Sequence, residues 1–137
     1  MCVEQKYRSE KMNSMHKEVQ KKLTKSLLDL IILQMLENHP MHGYEILITI
    51  QKSFGVYCGA STIYPILNKM EKKKHVKYRW NMDSDRPKKI YELTTQGKSM
   101  LDLTACSLRS ICKSITKDTT ALPSEKHQTI EFHVARS

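Results

Sequence analysis

Ser61-Thr62-Ile63-Tyr64-Pro65-Ile66-Leu67-Asn68-Lys69-Met70 is the stretch that decides the fold. Ile63, Ile66, Leu67 and Met70 fall at i, i+3, i+4 and i+7, which places them on one side of a helix. Ser61, Pro65, Asn68 and Lys72 fall on the other side, flanked by Tyr64 and Lys69. A helix is therefore expected over about residues 60–73, with one buried stripe and one polar, cationic face. Pro65 fits this helix badly, because proline belongs in a first turn. Either the helix starts later or its opening is irregular.

Downstream the period changes to two. Val76, Tyr78, Trp80 and Met82 alternate with Lys77, Arg79 and Asn81, the pattern of a half-buried strand. Asp83-Ser84-Asp85-Arg86 reads as a turn, and Pro87 opens a return strand where its missing donor does least harm. Ile90-Tyr91-Glu92-Leu93 completes the hairpin. Thr94 or Thr95 then caps a last helix. Along it Leu101, Thr104, Leu108, Ile111 and Ile115 are spaced three and four apart, a narrow seam of the kind one helix offers another.

Upstream, His42-Gly43 starts a helix that runs to about Ser53, with Tyr44, Leu47, Ile48 and Gln51 at helical spacing and Ile46 and Ile50 beside them. Gly55 is placed to stop it in the left-handed conformation. Val56-Tyr57-Cys58-Gly59 is a short turn. Before that, Leu23 to Leu36 is apolar around most of its girth. Such a helix is buried on more than one side, one against its own domain and one against a partner. His39-Pro40 ends it.

The charge pattern narrows the partner. Lys69, Lys72, Lys73, Lys74, Lys77, Arg79, Arg86, Lys88 and Lys89 face only Glu71, Asp83 and Asp85 within residues 61–90, so thirty residues carry +6 of the net +9. Positive charge concentrated on one helix and one hairpin is the footprint of phosphate binding. With a sequence pI near 9.4, the candidates are nucleic acid and anionic membrane, and no apolar run is long enough to span a bilayer. Residues 1–6 lack an apolar signal core, so a cytoplasmic location is expected. Cys2, Cys58, Cys106 and Cys112 form no C-x-x-C pair and no zinc spacing, and are read as reduced thiols. A redox pair of Cys106 and Cys112 is the alternative. The histidines at 16, 39, 42, 75, 127 and 133 offer no i, i+4 ligand pair, so neither a metal nor a cofactor is expected.

Three segments together resemble the PadR family of transcriptional regulators: His42-Gly43-Tyr44-Glu45-Ile46, Ser61-Thr62-Ile63-Tyr64-Pro65-Ile66-Leu67, and Tyr91-Glu92-Leu93-Thr94 followed by Gly97. The resemblance extends over roughly residues 23 to 105. It implies a mainly α fold with a small β-hairpin, a winged helix-turn-helix with N- and C-terminal dimerisation helices. It further implies a homodimer on an inverted-repeat operator, usually acting as a repressor. The family wing often carries a Gly followed by Arg-Lys-Tyr-Tyr. Here Asp85-Arg86-Pro87-Lys88-Lys89-Ile90-Tyr91 keeps the cations without that Gly.

On this reading residues 1–20 are a polar N-terminal extension or helix, 21–94 the DNA-binding domain, 95–117 a dimerisation helix, and 118–137 a tail without clear pattern. Within the tail, residues 128–134 suit either a strand or a short helix. Ser61 and Thr62 can donate to phosphate at a helix N-terminus, and Tyr64 through its hydroxyl. Asn68 can pair bidentately with adenine. Lys69 and Lys72 read guanine or hold phosphate, and phosphate takes most such contacts. Arg86, Lys88 and Lys89 reach the flanking backbone or the minor groove. Gly43 lets its helix approach a phosphate, with Tyr44 beside it; the other reading of Tyr44 is core. Leu23, Leu27, Ile31, Leu101, Thr104, Leu108, Ile111 and Ile115 form the expected dimer surface. Trp80 reads as hairpin core, or as the floor of a site for a small aromatic effector.

Two other classes compete. A winged-helix module for an acidic protein partner would bind DNA only weakly and without sequence preference. Its surface would be expected to carry aromatics where this chain has Ser61, Asn68 and Lys72. An enzyme would need a nucleophile set, paired carboxylates or a phosphate-cradling loop, and none is present; the chain holds four Gly in all.

Overall fold

Helical spacing and turn chemistry lay out the described residues as five helices and three short strands. The computed structural model describes residues 2–116, with side chains from residue 8 onward. The tail after Asp118, including residues 128–134, lies outside the described residues. The elements are α1 (Cys2–Ser26), α2 (Leu28–Asn38), β1 (Met41–His42), α3 (Gly43–Phe54), α4 (Ala60–Lys72), β2 (Val76–Asn81), β3 (Lys88–Leu93) and α5 (Thr95–Ile115).

The apolar run expected as one helix from Leu23 is divided. Its first residues end α1, and α2 begins after a break at Leu27. The Leu27 amide is shared between the carbonyls of Leu23 and Thr24, both at 3.1 Å, and the ladder resumes with Ile31 donating to Leu27. Neither Pro nor Gly is involved. Ser26 Oγ donates to the Lys22 carbonyl at 2.9 Å, and such back-bonding bends a helix. Beyond the bend Leu28, Ile32, Leu33, Met35 and Leu36 are buried.

The α3 start is built by a reciprocal cap. His42 Nδ1 accepts from the Glu45 amide at 3.3 Å, and the His42 amide donates to the Glu45 carboxylate at 3.2 Å. Gly55 ends the helix at φ 65° as expected. The buried stripe of α3 is Gly43, Ile46 and Ile50, whereas Tyr44 and Gln51 are exposed. Tyr44 is thus not core. Both faces of this helix carry apolar residues, so its local pattern does not choose between them.

Helix α4 buries Ile63, Leu67 and Met70 as its spacing predicts, with Ile66 partly covered. Pro65 stands inside the helix, so the Ser61 carbonyl lacks the usual donor four residues on. The end of α4 satisfies its carbonyls through His75 N donating to Met70 O and Lys74 N to Glu71 O, each at 2.9 Å. This double bond pattern requires a left-handed residue, and Lys74 supplies it at φ 63° where glycine is usual.

The hairpin pairs Val76 with Leu93, Tyr78 with Tyr91 and Trp80 with Lys89. A third strand not foreseen from the sequence, β1, pairs Met41 with Tyr91, giving the antiparallel order β1-β3-β2. Two residues are too few to show a period. Thr94 caps α5, accepting from the Gly97 amide at 2.9 Å, and its hydroxyl reaches back to the carbonyl of Lys74 at 2.6 Å. Gly97 is buried against the His75 carbonyl, with no room for a side chain. Glu37 on α2 pairs with Lys98, which also meets Asp102 at 3.2 Å, so α5 is tied to α2. The Glu37 carboxylate, more than Asp102, holds the Lys98 ammonium above its ordinary pKa.

Candidate nucleic-acid interface

The exposed side of α4 carries Ser61, Thr62, Tyr64, Pro65, Asn68, Lys69 and Lys72. Its opposite side is anchored by the fully covered Ile63 and Leu67, so rigid packing fixes which groups face outward. Asn68 makes no side-chain hydrogen bond among the described residues, leaving both its donor and its acceptor available. No described carboxylate lies within ion-pair distance of Lys69, Lys72, Arg86, Lys88 or Lys89. These five cations of α4 and the hairpin are therefore uncompensated.

Gly43 plays a different part from the one expected. It is buried, and the space a side chain would take is filled by the ring of Tyr64, with Cε1 2.6 Å from where a Cβ would stand. The glycine seats the tyrosine of α4 rather than opening a path for phosphate. Tyr44, beside it, is 64% exposed.

Tyr57 was not singled out by the sequence reading. In the turn between α3 and α4, Val56 and Cys58 are buried while Tyr57 is 74% exposed. Its hydroxyl lies near Gly59, the residue that opens α4 without a side-chain cap. The in-out-in alternation of Val56-Tyr57-Cys58 was the available signal, and it is short enough to pass for a turn.

The wing also departs from expectation. Of the inward set, only Val76 is buried; Tyr78 is 37% and Trp80 54% exposed, and Met82 lies beyond the strand. Trp80 is therefore not hairpin core, because the ribbon runs past the body of the domain and nothing among the described residues covers its outer half. It stands on β2, not on α1 or α5. Lys88 pairs with Asn81 and Lys89 with Trp80, so successive pleats send the two lysines to opposite faces. Lys77 and Arg79 both reach Glu92, at 3.7 and 2.9 Å. The Arg79 hydrogen bond holds the Glu92 carboxyl below its ordinary range. In the turn, Ser84 Oγ donates to the Arg86 carbonyl at 2.7 Å and Asp83 N to Asn81 Oδ1 at 2.9 Å. Arg86 itself is exposed.

The residues expected at a dimer surface are divided by the fold. Leu101 is 4% exposed and belongs to the chain's own core. Leu27, Ile31, Thr104 and Leu108 are half-buried. Leu23, Ile111 and Ile115 are exposed, and Met12, Met15 and Val19 extend the Leu23 stripe along α1. Cys106 and Cys112, both exposed on α5, stand about 9 Å apart along the axis. That exceeds the roughly 7 Å a disulfide can span, so they do not pair within the helix. Among the described residues no helix is long and apolar enough to cross a membrane, and no cluster of three or more His, Cys, Asp or Glu is placed to hold a metal.

Residues 32–103 match the model of the PadR-like transcriptional regulator family. A PadR family transcription regulator from Clostridium difficile R20291 is 29% identical, with a TM-score of 0.61, and the match covers 66% of this chain and 96% of that one. A transcriptional regulator described as putative, TA0346 from Thermoplasma acidophilum, is 25% identical at a TM-score of 0.62, covering 74% and 97%. A PadR family regulator from Eggerthella lenta DSM 2243 has a TM-score of 0.65 at 22% identity over 81% and 94%, a likeness of fold. No curated protein matches the chain.

Proposed function

Because this chain belongs to the PadR-like family of transcriptional regulators, we propose that it binds duplex DNA sequence-specifically as a homodimer and represses transcription from an inverted-repeat operator. The observation that carries this reading is the exposed face of α4. It presents an unpartnered Asn68 between Ser61 and Lys72 on a helix whose other side is locked in the core. A recognition helix needs that arrangement: a rigid backbone, small polar groups near its N-terminus, and cations further along.

Each group then has a role. Asn68 reads a base edge in the major groove. Ser61, Thr62, Tyr64, Lys69 and Lys72 hold phosphates and fix the register. Tyr44 and Tyr57, both exposed, offer further phenol groups. Arg86, Lys88 and Lys89 carry the wing's attraction to the backbone. The exposed stripes of α1 (Met12, Met15, Val19, Leu23) and α5 (Ile111, Ile115) support a homodimer, since contiguous apolar surface of this kind is normally covered.

The test is binding of the full chain to a labelled duplex from upstream of its own gene, at two salt concentrations and against random competitor. Retention under competitor with a dimer-sized footprint is expected. Binding that disappears with both salt and competitor would leave only the nonspecific electrostatic attraction.

A further inference from the structure

The two faces of the wing differ in chemistry. On one, Lys77 and Arg79 share the single carboxylate of Glu92. On the other, Tyr78 and Trp80 meet edge to face, with ring centroids 6.1 Å apart and planes at 88°. The Lys89 ammonium stands over this pair, 4.0 Å from the Tyr78 centroid and 5.6 Å from that of Trp80. The same face is sealed at its base by Val76 and Tyr91 and opens toward the turn, where Trp80 is more than half exposed.

An exposed indole beside an ammonium with no carboxylate partner is a surface with a specific complement. The rings favour a flat or apolar group, and the cation favours an anion next to it. We propose that this aromatic face, made of Tyr78, Trp80 and Lys89, lies against the sugar–phosphate backbone of duplex DNA. The indole covers a deoxyribose while the ammonium meets the adjoining phosphate. The proposal rests on the DNA-binding reading above and adds which face of the wing makes the contact. Charge complementarity selects this occupant. Lys89 on this face and Arg86 in the adjoining turn have no carboxylate partner among the described residues, while on the reverse face Glu92 engages Lys77 and Arg79 but not Lys88. An apolar protein partner would require a centre depleted of charge, and this patch has a lysine over it.

Trp80 is the chain's one tryptophan, so intrinsic emission reports on this face alone. The full chain is titrated with a fluorescently labelled duplex, following label anisotropy for binding and indole emission for the wing. Emission should change with the same midpoint as anisotropy, and acrylamide should quench the bound indole less than the free one. Trp80→Ala should weaken duplex binding by about three- to tenfold, while Trp80→Phe retains most of the affinity. Circular dichroism of both variants checks that this exposed position leaves the fold intact. Anisotropy that shows binding while emission and acrylamide access stay unchanged would overturn the assignment of this face and leave the DNA-binding reading standing. Absence of any anisotropy change with operator and random duplex alike would overturn both.

Discussion

The ring of Tyr64 occupies the space beside Gly43 that any other residue would fill with its own side chain. This contact joins the first turn of α3 to the outward face of α4, and so sets where the Tyr64 hydroxyl points. Gly97 stands in a similar position at the start of α5, but its neighbour is the His75 backbone. A ring can swing; a carbonyl within a hydrogen-bonded turn cannot.

The two glycines should therefore respond differently. Gly97→Ala is expected to lose about 1–3 kcal/mol by overpacking, even after the helix propensity gained with alanine. Gly43→Ala should change stability by less than about 1 kcal/mol but weaken duplex binding, because the displaced ring moves Tyr64. Urea midpoints and DNA titrations on both variants check this. Equal destabilisation would mean the Tyr64 ring is as fixed as the backbone.

Asn68→Ala should lower discrimination between operator and random duplex by about 1–3 kcal/mol. Competition titrations give this directly. A loss shared equally by both DNAs would show that Asn68 holds backbone rather than base.

The lysines of the wing can be separated because they stand on opposite faces of the hairpin. Lys89→Ala should weaken all duplexes and reduce the slope of log affinity against log salt by about one unit. Lys88→Ala tests the reverse face in the same way. A slope unchanged in both would remove the wing from the interface.

The exposed stripes make a test of assembly that spares the core. Leu23→Glu combined with Ile111→Glu alters two side chains that are each 56% exposed, so the fold should persist by circular dichroism. Light scattering should report half the mass of the parent. A variant that stays dimeric would place the contact elsewhere.

Lys74 carries a left-handed conformation at some cost, because a Cβ crowds the following carbonyl by about 1–2 kcal/mol. Lys74→Gly removes that crowding and returns part of the gain as unfolded-chain entropy, leaving about 0.5–1 kcal/mol of added stability. A higher urea midpoint is expected, and a lower one would show that the lysine side chain makes a compensating contact.

Much of this architecture was legible in the sequence because it depends on neighbours three or four residues apart. The buried stripe Ile63, Leu67 and Met70, the left-handed Gly55, the Thr94 cap and the hairpin around residues 83–86 are all of that kind. So was the exposed polar face of α4, since whatever lies opposite a buried stripe must face outward. The tertiary structure decided what depends on contacts distant in sequence. It buried Gly43, Ile46 and Ile50 as the inner face of α3, left Leu47 partly buried beside them and turned Tyr44 outward, a choice that only packing against α4 and the sheet makes. It added β1, bent the chain at Leu27, and took Leu101 into the core. It also left Trp80 in the open, because alternation tells which residues share a face and not whether anything covers that face. How far the ribbon extends past the domain is set by the core beneath it.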